Sequence, residues 1–232
     1  MSFSVSSLLV SMGMVSKAVF LLLAVMALVA LYIAAERWFT FYRMARQSHQ
    51  FAIVVADLLK DQRFQETLDK AAERTYQYSY LARLISMGLR EFEGLRTLSR
   101  RIDPANLLQR ALDRAMFAEA LSMRRGLALL ATIGTTAPYV GLFGTLVGIA
   151  YAFRGLATSE AAGYAPIFAG VAQALLFTAM GVLVAIPTTW AFNYLVDRVE
   201  RLEIQMNNSA AEIIDYCLRQ IGVARGQTNT NI

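Results

Sequence analysis

The side chains able to do chemistry in this sequence sit inside two long apolar runs. Thr132, Thr135, Thr136 and Thr145 lie in the run 126–153, and Gln173, Thr178, Thr188, Thr189 and Asn193 in the run 161–196. All are neutral donors or acceptors of hydrogen bonds. Neither run contains an aspartate, glutamate, lysine, arginine or histidine. A proton path through lipid normally needs an ionisable carrier. These groups can therefore line such a path or bind a partner's carboxyl, but cannot relay protons alone. Polar side chains within spans usually turn toward a bundle interior. A threonine can also bond only to its own helix, which leaves glue and function both open at each position. Thr145 and Thr178 stand out because each shares a helix stripe with small residues.

The elements that must position them follow from length and spacing. The run GLALLATIGTTAPYVGLFGTLVGIAYAF (126–153) lies between Arg125 and Arg154 and exceeds the ~20 apolar residues that cross a bilayer as a helix. At about 100° per residue, Gly134, Gly141, Thr145, Gly148 and Ala152 fall within about 40° of one line. Pro138 lies in the same run, and Gly144 with Gly148 adds a small-xxx-small pair. In the second run Ala174, Thr178, Gly181, Ala185 and Thr189 form a matching stripe. Pro187 frees the carbonyl of Leu183 and predicts a bend. Stripes of small residues let backbones approach where lipid removes the hydrophobic drive between helices. The glycines alone also fit plain tight packing.

A third apolar run, 18–35, lies between Lys17 and Glu36 and predicts the first of three spans. Residues 1–17 read as a short outer segment. Trp38, Phe39 and Tyr42 with Arg37, Arg43 and Arg46 form an interfacial belt whose arginines place this end in the cytoplasm. Residues 36–125 then read as a cytoplasmic helical region, 126–153 as the second span, 154–165 as an outer loop, and 166–196 as the third span. Residues 197–232 read as a cytoplasmic helix to about Ile221 with a disordered polar tail, GQTNTNI. Asp103–Pro104 is a good helix start, and apolar spacing from Pro104 to Phe153 predicts one helix of roughly 50 residues. The fold class is an all-α membrane protein: three transmembrane helices whose long extensions form a cytoplasmic bundle, N-terminus outside and C-terminus inside.

Composition agrees. The 232 residues are 56% hydrophobic and 17% charged, against roughly a quarter charged in a soluble domain. The net charge of +5 comes from basic residues at the ends of apolar runs, which favours a lipid bilayer over nucleic acid as partner. One cysteine, Cys217, and one histidine, His49, exclude an internal disulfide and a His–His ligand pair, and no metal or cofactor is expected. Gly141 to Gly148 lacks the lysine of a phosphate-cradling loop. Glu91, Glu93, Glu200 and Glu203 read as solvated faces. With no nucleophile–base pair visible, no catalytic residue is assigned and the chain is not expected to be an enzyme.

ATIGTTAPYVGLFGTLVGI (131–149) followed by AQALLFTAMGVLVAIPTTWAFN (172–193) resembles the MotA/TolQ/ExbB proton-channel family, specifically its TolQ/ExbB branch. The resemblance implies a homo-oligomer of five copies in a bacterial inner membrane, ringed around two ExbD/TolR-like single-span subunits. There an aspartate on the inner subunit carries the proton and ring threonines, here Thr145 and Thr178, face it. Gly134, Pro138, Gly141, Gly144, Gly148, Gly181, Ala185 and Pro187 would pack the helices at that pore. Proton flow then drives mechanical work on the envelope through a TonB/TolA-like effector, in Tol-Pal function, TonB-type uptake or gliding motility. Many family members carry glutamate in a block reading AEALL where this chain has Gln173. A non-conducting scaffold that organises partners through its small-residue faces is the competing reading.

The arginine clusters make the topology testable. Cysteines introduced at Ser7 and Ser159 are expected to react with an impermeant thiol reagent in intact spheroplasts, and one at Ser99 is not. The reverse pattern would invert the predicted orientation.

Overall fold

A computed structural model describes residues 13–60, 63–97, 104–158 and 165–229. Six α-helices follow in order: α1 (Met14–Lys60), α2 (Phe64–Ala72), α3 (Tyr80–Thr97), α4 (Pro104–Arg124), α5 (Leu127–Thr158) and α6 (Ala165–Asn229), with a 3-10 turn at Arg74–Tyr76. No strand occurs among the described residues. Three stretches are long and apolar enough to cross a membrane. The expected all-α class with three membrane-length helices is therefore the one observed. Asp103, the expected cap of α4, and the outer segment 1–12 lie outside the described residues.

The chain divides into two compact units, one of Met1–Glu36 with Gly126–Leu195, the other of Arg37–Arg125 with Val196–Ile232. In the first unit Val19 and Leu23 of α1 pack with Ala137 of α5 and with Phe177 and Ala185 of α6. Large apolar side chains point outward around this core: Leu28, Leu31, Phe143, Leu146, Phe168 and Leu183 are all more than half exposed. A water-soluble unit avoids so large an apolar surface, whereas a lipid-embedded one needs it.

The second unit follows the opposite rule. Phe51, Val55, Leu84, Leu89, Leu108, Leu112 and Met206 are buried, and charges cover the outside. Ser79 starts α3 as an N-cap, its Oγ accepting from Ala82 N–H at 3.1 Å. The Ser79 and Ser48 hydroxyls are paired at 3.2 Å, and Tyr78 N–H donates to Gln47 Oε1 at 2.9 Å. These bonds tie the tyrosine-rich turn to α1, where Tyr76 also packs its ring 5.0 Å from that of Phe51. Arg83 of α3 holds Glu119 of α4 through two bonds. Arg124 of α4 holds Glu203 of α6 through another two, each 3.0 Å. Glu203 is thus an inter-helix acceptor rather than the freely solvated acid its position suggested.

Three boundaries differ from expectation. The single helix expected from Pro104 to Phe153 is two, because Gly126 adopts φ +82°, the left-handed region that ends helices. Arg125 N–H closes a tight turn onto Ser122 O, and Leu130 N–H bonds Gly126 O as α5 begins. The helix α5 continues to Thr158, past the expected span end at Phe153. Finally α6 runs unbroken through Pro187 to Asn229, so Gly226–Asn229 are helical rather than disordered.

Cys217 is fully buried, and burial pushes its thiol from an ordinary 9.0 up to about 12. Burial also raises the Tyr80 phenol, which donates to Gln205 Oε1 at 3.4 Å. Both groups are neutral when folded, so the unfolded chain loses these protons first as pH rises. The Cys217 contribution is intact below about pH 9 and is lost progressively as pH climbs toward its folded value of about 12. Denaturant midpoints should accordingly hold steady at neutral pH and drop above pH 9, with the native thiol unreactive at pH 8 until the chain unfolds.

Candidate functional site

The polar groups named from sequence are positioned by the antiparallel pair α5 and α6. A methyl group placed on Gly141 would lie 2.5 Å from Phe177 O and 3.1 Å from Gly181 Cα; one on Gly181 would lie 2.6 Å from Ala137 O. Neither glycine has room for any side chain. The contact continues in both directions. A methyl on Gly134 would meet Thr189 Oγ1 at 2.7 Å, one on Gly148 the Ala174 Cβ at 2.8 Å, and one on Gly170 the Ala152 Cβ at 2.7 Å. The two stripes read from the sequence therefore face each other. Gly144 serves a different neighbour as well: its missing side chain admits Val19 of α1 and the Phe177 ring.

Close backbones bring Thr145 and Thr178 together. Thr145 Oγ1 is 3.1 Å from both Gly141 O and Ala174 O, and 2.5 Å from Thr178 Oγ1. Carbonyls only accept, and Thr145 has one hydroxyl proton. With that proton directed to the carbonyls, the Thr178 hydroxyl donates to Thr145. Thr145 is 6% exposed, while Thr178 is half-buried. The pair thus has an inner member whose bonding is satisfied within the chain and an outer one whose lone pairs remain available.

The other named residues divide cleanly. Gln173 is half-buried on α6, but five residues from Thr178 means about 140° around the helix, so the two do not share a face. Thr132, Thr135 and Thr136 each donate to a carbonyl of their own helix, at Ala128, Ala131 and Thr132 respectively. Thr188 does the same to Val184 O. Thr189 and Asn193 are exposed, Pro138 is half-buried, Ala185 is buried in the core, and Pro187 is exposed within a continuous helix. Among the described residues no group of histidines, cysteines and acids could hold a metal ion. Sequence reading missed Phe177, the one large ring in the seam, buried to 2% between Gly141 and Gly144. Its only signal was an aromatic residue one position before Thr178 on a stripe of small ones.

Glycine-to-glycine contact, a part-buried hydroxyl pair and spans free of charge define a multi-pass helical membrane protein with a polar seam but no acidic or basic side chain of its own within its spans. Residues 77–208 match the MotA/TolQ/ExbB proton channel family, and the chain belongs to that family. It is similar to the Tol-Pal system protein TolQ of Pseudomonas aeruginosa, 40% identical over 127 residues that cover 53% of this chain and 54% of that protein. It is also similar to the biopolymer transport protein ExbB of Pseudomonas putida, 38% identical over 103 residues, 44% of this chain and 31% of that one. The TolQ of Haemophilus influenzae is 34% identical over 139 residues, covering 59% and 61%. The alignments thus span between about a third and three fifths of these relatives. The TolQ/ExbB branch suggested by the sequence is the one matched.

The seam makes a sharp prediction. Gly141→Ala and Gly181→Ala each force backbones apart and should destabilise the first unit by ~1–3 kcal/mol or more, the range of core overpacking. Gly94→Ala, with open space where its methyl would sit, should be neutral or stabilising by up to about 1 kcal/mol through helix propensity. Thermal denaturation in detergent separates the two outcomes.

Proposed function

We propose that the chain is the ring subunit of a proton-driven motor in a bacterial inner membrane. Five copies enclose two single-span partners whose membrane aspartate carries the proton. The observation that carries this reading is the Thr145–Thr178 pair, set in a charge-free, glycine-packed helix pair of a proton channel family member. In this arrangement Thr178 spends its proton on Thr145 and offers lone pairs outward. It is then an acceptor for a protonated carboxyl, and must rotate its hydroxyl to donate to an ionised one. That difference couples the partner's protonation state to the contact it makes on the ring. The second unit and the arginine borders lie on the cytoplasmic side, with residues 1–17 and the α5–α6 connection outside. Work on the envelope passes through an effector of TonB or TolA type.

The glycines and Thr145 also favour a second reading. The hydroxyl of Thr145 is satisfied within its own chain, as in a scaffold that conducts nothing and only packs partners. Reconstitution distinguishes the two. The purified chain should be proton-tight in liposomes, and adding the single-span partner should create a proton flux that its aspartate-to-asparagine variant abolishes. Thr178→Val keeps the shape and should cut that flux by about tenfold, the rate equivalent of one hydrogen bond of about 1.4 kcal/mol, with the ring intact. Gln173→Glu should not rescue the partner variant. Steady conduction by the chain alone would sink the motor reading, no flux with the partner present would leave the scaffold, and full flux with valine at both threonines would make these hydroxyls packing groups.

A further inference from the structure

Two faces in the second unit carry matched stripes that nothing among the described residues covers. On α4, Arg110, Arg114, Phe117 and Leu121 fall within about 40° of one line, and Arg125 follows them in the turn that closes the helix; all five are exposed, Phe117 to 73% and Leu121 to 64%. On α6, Glu200, Ile204, Asn208, Ala211 and Asp215 repeat the same spacing and are likewise exposed, Ile204 to 60%. One stripe is basic at both ends and apolar in the middle. The other is acidic at both ends with an apolar residue inside. Asp113 lies about 80° off the basic line, at its edge.

The two helices run antiparallel, and the levels of their residues are fixed within the chain. Arg124 reaches Glu203. A methyl on Gly88 would touch Ile213 at 2.9 Å and Leu112 at 3.5 Å, so Leu112 and Ile213 share a level. On that register Arg125 stands level with Glu200, Leu121 with Ile204, Phe117 with Asn208, Arg114 with Ala211, and Arg110 with Asp215. Rotation about an axis along the helices leaves each residue at its own level, and a head-to-tail contact repeated by such a rotation closes a ring.

We propose that the α4 stripe of one copy docks on the α6 stripe of the next copy, with Phe117 and Leu121 against Ile204 and the two arginine–acid pairs at the ends. The inference rests on the ring reading above and names the surface that sets its order. Apolar contact supplies the attraction, while the charges favour this register and repel contact between two copies of the same stripe.

The test uses two differently tagged full-length copies made together in membranes, one carrying Leu121→Cys and the other Ile204→Cys. Native Cys217 is retained because it is fully buried. Mild oxidation should give a covalent dimer bearing both tags. Either variant expressed alone should give none, and neither should Met87→Cys paired with Ile204→Cys. Reversing both Arg110 and Arg125 to glutamate should lower the yield severalfold, and Glu200→Arg with Asp215→Arg in the other copy should restore it. Absence of the doubly tagged dimer from a chain whose native mass is oligomeric overturns this surface and leaves the ring. A monomeric native mass overturns the ring reading itself. Dimers from a single variant, a bond to a different protein, or a yield indifferent to charge reversal would each refute the docking.

Discussion

The contact between Gly141 and Gly181 is the constraint on which the first unit depends. Lipid gives two helices no hydrophobic reason to associate, so they hold through dispersion and hydrogen bonds, both of which decay within a fraction of an ångström. Two glycines opposite one another bring the backbones to contact. Only at that separation does Thr145 of α5 reach Ala174 O on α6, and only there does the Phe177 ring fit against Gly144 with Val19 behind it. The hydroxyl pair is thus a product of the glycines, and a seam one methylene wider would dissolve it.

The two units are built on opposing rules from one alphabet. The membrane-type unit puts small residues inside and large ones outside, while the other buries Phe51, Leu84 and Leu112 and joins its helices at the rim with Arg83–Glu119 and Arg124–Glu203. Ion pairs whose arginines face solvent, as both of these do, contribute modest stability each. Their two-pronged geometry matters more for fixing the level at which neighbouring helices meet, which the buried apolar groups leave loose.

How much of this was legible depended on whether the signal was local. Charge-free runs ending in Arg125 and Arg154 located a span, and glycine stripes at helical spacing showed which faces meet. The break at Gly126 was hidden because apolar spacing continues on both sides of it. A left-handed glycine differs from a helical one in φ, which spacing does not encode. The consumption of Thr145 was equally hidden, since its second acceptor lies 29 residues away and depends on inter-helix register. Gln173 and Thr178 lie five residues apart in one apolar run, which turns them to different faces of the helix. The helical state of Gly226–Asn229 runs against composition, which read glycine, threonine and asparagine as a coil.

The threonines at the start of α5 carry a consequence of their own. Thr132 and Thr135 are exposed and Thr136 half-exposed, yet each turns its hydroxyl onto a carbonyl of its own helix and shows its neighbours a methyl group. To lipid tails this surface resembles valine. A rotation about one side-chain bond, with no movement of the backbone, turns the same surface into a row of hydrogen-bond donors. The polarity of that face is therefore a matter of rotamer rather than composition, set anew by whatever lies against it.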